Sequence, residues 1–164
     1  MIRPLFSIFV VAAFIGCDLG NTDAATGRFT AQIEGGPIET AAGAAQFLLR
    51  DGDGPARLRA VYLTDESNVR HKFIVHDGRA DIDDAGVYAV DWGPPEGVAR
   101  VEYGIDTGTV LFGTDVKSGT LTITHFDRGR VQGAFAGTLD LRPIEGDSAV
   151  SVTAEFDALP FSAP

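Results

Sequence analysis

Cysteine is nearly absent from this chain: Cys17 is the only one in 164 residues, which excludes an intramolecular disulfide framework. Lysine is almost as scarce, with 2 against 11 arginines, and positive charge as a whole is short: 13 basic residues face 23 acidic ones for a net charge of −10. No basic stripe is available to release counterions from phosphates, so nucleic acid is excluded as a partner. No apolar run reaches the roughly 20 residues of a spanning helix; the longest starts at Leu5 and stops at Cys17, with Asp18 directly behind it. Helical periodicity is missing after residue 27, and so are helix-borne active-site motifs. There is no GxSxG elbow, no glycine-rich phosphate loop followed by lysine, and no zinc-type spacing among His71, His76 and His125.

What is present begins with an export signal. Arg3 supplies the positive start, Leu5 to Ile15 an apolar stretch broken only by Ser7, and Gly16 a small residue before Cys17. The order Phe14-Ile15-Gly16-Cys17 resembles the lipobox of bacterial lipoproteins, with Phe14 where leucine is usual. This resemblance implies cleavage before Cys17, a diacylglyceryl thioether on its sulfur and acyl chains such as palmitate anchoring the chain to a membrane. Residues 1–16 are then a lipoprotein signal peptide, 17–26 a lipidated tether rich in Asp, Asn, Thr, Gly and Ala, and 27–164 a single domain. Removing 16 of the 164 residues leaves 148, enough to bury a core without disulfide or metal staples. The implied address is the bacterial cell envelope outside the cytoplasm. Asp18 leaves inner and outer membrane both open.

The domain reads as all-β, because apolar and polar residues alternate in short runs separated by Gly, Asp and Pro. Leu121 and Ile123 alternate with Thr120, Thr122 and Thr124; Val150, Val152, Ala154 and Phe156 alternate with Ser151, Thr153, Glu155 and Asp157. Between these runs, Asp127 to Arg130 predicts a hairpin turn in which Gly129 takes a positive φ, and the return strand carries Val131, Phe135, Leu139 and Leu141 on one face. Further strands are predicted near 28–34, 40–50, 57–64, 70–76, 86–91, 98–104 and 109–114. The alanine-rich stretch Ala41 to Gln46 also suits a helix, but it lacks caps and runs straight into Phe47, Leu48 and Leu49, so a strand is preferred. About ten strands in an antiparallel meander, forming a barrel or a sandwich after an N-terminal signal helix, is the expected architecture.

The segments Ser118-Gly119-Thr120-Leu121-Thr122-Ile123-Thr124 and Gly133-Ala134-Phe135-Ala136-Gly137-Thr138-Leu139, with the late Phe156-Asp157, carry a second resemblance. They look like uncharacterised lipoproteins of Bacteroidetes-type bacteria, in which a "GTLTIT…D…G.F…L" hairpin precedes a final strand behind a lipobox. The resemblance spans roughly the last 50 residues. It implies a fold and an address rather than a reaction.

Candidate sites follow from residue chemistry. Asp51-Gly52-Asp53-Gly54 opens like a calcium loop, but Tyr62 stands where an EF-hand places its bidentate glutamate; Asp81, Asp83 and Asp84 form a second acidic group suited to a hard cation. Acidic turns of this composition are also ordinary surface turns. Trp92-Gly93-Pro94-Pro95, with Tyr88 and Tyr103, suggests a ligand platform or a barrel-end cap. His125 continues the Leu121 and Ile123 face and is expected inside the barrel, as a ligand contact or a satisfied strand-end histidine. Ser118 reads as turn chemistry. No cofactor is called for, and no catalytic residue is singled out. The expected role is therefore a membrane-anchored, non-catalytic β module for binding or structure, one version being a small apolar ligand inside a barrel. The export and processing machinery would be its first partner, with ligand or protein partner unspecified. The competing expectation is an extracytoplasmic hydrolase using clustered carboxylates, since carboxylate spacing is set in three dimensions.

Overall fold

The computed structural model describes residues 26–35, 40–50, 54–65, 70–78, 80–91, 97–106, 111–140 and 149–161. They form nine strands: β1 (Gly27–Glu34), β2 (Thr40–Leu49), β3 (Leu58–Asp65), β4 (Arg70–His76), β5 (Gly86–Asp91), β6 (Val98–Asp106), β7 (Leu111–Phe126), β8 (Val131–Asp140) and β9 (Ala149–Pro160). The sheet closes on itself in the order β1-β2-β3-β4-β6-β5-β7-β8-β9. The barrel alternative is thus the one realised, and the alanine-rich stretch is strand. The count falls from about ten to nine because the runs expected at 109–114 and around 120–124 are one strand, β7, of 16 residues. Ser118 accordingly lies within β7, beside a register shift between Val116 and Ser118, and not in a turn.

The meander has one exchange. β4 pairs with β6; the short β5 wedges between parts of β6 and β7, parallel to the former and antiparallel to the latter, while Glu102–Asp106 of β6 pair directly with Leu111–Asp115 of β7. A second parallel contact joins β2 to β9, Gln46 opposite Leu159 and Phe47 opposite Pro160. This contact closes directly beneath the start of β1 and forces the incoming chain out of the sheet at Gly27. Only glycine fits there: a Cβ on Gly27 would meet the carbonyl oxygens of Asp157 and Ala45 and stand 2.8 Å from the Ala158 Cα.

The alternation read from the sequence is the inside–outside alternation of the wall. Along β1, Phe29, Ala31 and Ile33 are buried while Arg28, Thr30, Gln32 and Glu34 are exposed; along β9, Val150, Val152, Ala154 and Phe156 are buried. Inside, large and small residues interlock across the strands. Leu121, Phe135, Ala154, Ala31 and Ala41 make one inward rung; Ile123, Gly133, Phe156, Phe29 and Gly43 make the next. Rings project where alanine and glycine leave room. Phe73 lies at the centre, its ring centroid 5.0 Å from Tyr103, 5.5 Å from Phe135 and 6.3 Å from Phe29.

The connection from β4 to β5 sends Ala80 and Ile82 into the core. It is tied down by backbone bonds from Leu58 to the Ile82 carbonyl and from Asp77 to the Arg59 carbonyl, and by ion pairs Arg50–Asp77 and Arg57–Asp81. Among the described residues, the large hydrophobics left exposed are Val87 and Phe161.

Candidate functional site

A concave feature lies on the outer wall of the barrel. The expectation of an apolar ligand inside the barrel meets an interior already occupied by Phe29, Phe47, Phe73, Tyr103 and Phe135, each no more than 2% exposed. Outside, a groove of about 790 Å³ crosses β7, β8, β9, β1 and β2. It is built from two rungs of outward side chains in direct register. Thr122, Ala134, Glu155, Thr30 and Ala42 form one; Thr120, Ala136, Thr153, Gln32 and Thr40 form the other.

The depth of the groove follows from side-chain size. Alanine ends at Cβ and threonine one atom further, so the middle of the wall stays low where longer residues would fill it. Threonine also suits a pleated surface and presents a hydroxyl that both donates and accepts. Glu155, near the centre, is the one carboxylate among the described lining residues. The groove can therefore hold a ligand's polar groups by hydrogen bonds with hydroxyls, an amide and a carboxylate. The alternation that defines these two rungs is visible in the sequence as the polar positions between the apolar ones. Only the cross-strand register places Thr30, Thr122 and Thr153 together.

Below the groove, the β7–β8 hairpin carries a charged network. His125 does not face inward: a register shift between Ile123 and His125 inserts an extra residue, so the inside–outside alternation slips and the His125 side chain stays 46% exposed. Its Nε2 lies 2.8 Å from Asp127 Oδ2. Asp127 Oδ1 accepts the amides of Gly129 (2.6 Å) and Arg130 (2.7 Å), so the carboxylate shapes the turn. Gly129 has no positive φ; the glycines that do are Gly35, Gly78 and Gly97 among the described residues. The Arg130 guanidinium bonds Asp157 with Nε at 2.7 Å and Nη2 at 2.5 Å.

These contacts depress both carboxylates. Bonds from the Gly129 amide first and His125 second hold Asp127 below its ordinary range, and the Arg130 fork does the same for Asp157. A carboxylate depressed in the folded state contributes stability above its unfolded pKa, near 4, and loses that contribution as pH falls through the folded value. Thermal unfolding followed from neutral pH down to about 3 should therefore show the midpoint falling on the acid side. Asp157→Asn should make that decline shallower.

The other sequence candidates are scattered. Asp81 is engaged by Arg57 Nη1 at 2.9 Å, and Asp83 is exposed on the same segment. No group of three or more His, Cys, Asp or Glu converges on a metal position among the described residues. Tyr103 is buried against Phe73 and so joins no surface platform, while the Tyr88 hydroxyl donates to the Asp84 carbonyl at 2.9 Å. Cys17, Asp51, Asp53 and Trp92 lie outside the described residues. Comparison of the chain with protein-family models, with curated proteins and with solved structures finds no match.

Proposed function

We propose that this protein is a cell-envelope lipoprotein, anchored to a membrane through acylated Cys17, whose barrel is a non-catalytic binding module working from its outer wall. The observation that carries the binding part is the groove of about 790 Å³ across β7, β8, β9, β1 and β2. Its lining sets threonine hydroxyls, Gln32 and Glu155 within a larger apolar surface that includes Ala42, Ala134 and Ala136, which suits a ligand with an apolar body and a few hydrogen-bonding groups. The lipobox-like order Phe14-Ile15-Gly16-Cys17 and the likeness of residues 118–139 to envelope lipoproteins support the anchoring part.

The groove can be tested by filling it. Ala134 and Ala136 sit on the outer face of β8 with their methyl groups lining the floor, so Ala134→Trp closes the groove without disturbing the core. Native mass spectrometry of the lipoprotein extracted from membranes should show a bound species in the wild type that is lost in Ala134→Trp, with the thermal midpoint of the variant unchanged. The same species retained by both proteins contradicts the groove as the binding site.

A further inference from the structure

The directions of the strands sort the charges of this barrel. β1, β3, β6 and β8 run from the end at which the chain enters at Gly27 to the far end, and each finishes on an acidic residue: Glu34, Asp65, Asp106 and Asp140; β5 runs the same way but stops short, with Asp91 level with Arg100 of β6. The entry end is arginine-rich instead, with Arg28 opening β1, Arg50 following β2, Arg59 in the first turn of β3, and Arg128 and Arg130 in the β7–β8 hairpin. Three acidic residues of this end, Asp77, Asp81 and Asp157, are already held by Arg50, Arg57 and Arg130. Arg28, Arg59 and Arg128 make no ion pair among the described residues, which leaves their guanidinium groups for an outside anion, against the local charges of Asp83, Asp84 and Asp127. Phe161 stands at this end too. It is 48% exposed, and its amide is fixed to the Phe47 carbonyl at 2.9 Å.

We propose that the entry end is a docking surface for anionic membrane lipid, with Arg28, Arg59 and Arg128 meeting headgroup phosphates and Phe161 entering the interface. This rests on the lipid-anchored reading above. The occupant follows from reach and charge. Cys17 is ten residues from Gly27, a span of at most about 35 Å, so the anchor keeps the entry end within reach of the bilayer surface. An anionic surface repels a barrel of net charge −10 as a whole. It repels the far, acidic rim most, and the nearly neutral entry end with its free arginines least, so it turns the barrel upright. An aromatic side chain at the interface reinforces the same orientation. In that pose the acidic rim points away from the membrane and the groove stands on the side of the barrel, reachable along the surface.

The test uses the full lipidated chain in vesicles. Because acylated Cys17 has no free thiol and no other cysteine exists, a new cysteine is the sole labelling site. Gly54→Cys at the entry end, where an added Cβ has nothing within 4 Å, and Glu34→Cys at the far end would each carry a fluorophore. Quenching by nitroxide on the lipid headgroups is then read on vesicles containing phosphatidylglycerol. The label at position 54 should be quenched several-fold more than that at 34. The bias should shrink on all-phosphatidylcholine vesicles, in molar salt where screening acts over about 3 Å, and in an Arg28→Glu, Arg128→Glu variant. Equal quenching at the two positions, or an equal bias on phosphatidylcholine, overturns the proposal. Flotation of the same samples separates the two readings: a chain that floats without bias lacks the docking surface, and a chain that does not float lacks the anchor.

Discussion

Phe73→Ala should lower the stability of the barrel by about 3–5 kcal/mol, the range for truncating a fully buried ring. Phe73 is the hub of the interior: it touches Phe29 on β1, Tyr103 on β6 and Phe135 on β8, so its ring joins opposite walls of the barrel. The same core holds Ala31, Ala45 and Ala154, whose side chains are too short to fill a space left elsewhere in it. A site that cannot collapse sits at the upper end of the range. Urea unfolding should show a lower midpoint with an unchanged slope, since the same surface is exposed on unfolding. Phe73→Leu keeps most of the volume and should cost about 1 kcal/mol. If Phe73→Ala loses less than about 1 kcal/mol, the interior is not the continuous packed core described.

Gly119→Val should be damaging for the opposite reason, because too much is added. Gly119 on β7 pairs with Gly137 on β8, both on the inward side of the wall, next to the register shift that follows Val116. A Cβ at 119 would collide with the Ala136 carbonyl oxygen and stand 2.8 Å from the Gly137 Cα, and these are backbone atoms that cannot swing aside. The pair of glycines lets β7 and β8 bend sharply while staying paired, a device by which small barrels turn their corners. The expected loss is about 3 kcal/mol or more, since strand movement has to accommodate the side chain. Thermal unfolding of Gly119→Val beside Gly129→Val gives the contrast. The hairpin glycine has no positive φ and only the Asp127 side chain near its Cβ position, so that second change should be mild.

The fold was legible wherever one face of a strand meets the core. Phe29, Ala31 and Ile33, or Val152, Ala154 and Phe156, alternate with polar neighbours, and period two translates directly into inside and outside. The choice of strand over helix for Ala41 to Gln46 rested on missing caps, and pairing to both β1 and β3 bears it out. Legibility failed where the alternation itself slips. A single extra residue between Ile123 and His125 moved His125 from the inferred interior to the surface, and nothing in the run of threonines marks that shift. The insertion of β5 between β6 and β7 was equally silent, because non-local pairing leaves no trace in local periodicity. The groove needed register as well. Its residues come from five strands far apart in sequence, and each reads alone as an ordinary exposed threonine or alanine.

Metal binding was suggested by composition, since Asp and Gly favour turns and ion sites alike. Of the acidic residues that suggested it, Asp81 pairs with Arg57. In the hairpin, Asp127 is a carboxylate that accepts two backbone amides. Acidic residues of this chain thus shape turns and set the charge of the two ends.

The distance of the barrel from the bilayer and its orientation there both depend on an anchor at Cys17. Mass spectrometry of the N-terminal peptide from protein expressed in a bacterium and extracted from its membranes tests this directly. The expected peptide begins at Cys17 and carries a diacylglyceryl thioether with an acylated amine, and Cys17→Ser moves the protein out of the membrane fraction. A peptide that retains residues before Cys17 or shows an unmodified cysteine, together with unchanged fractionation of Cys17→Ser, contradicts it.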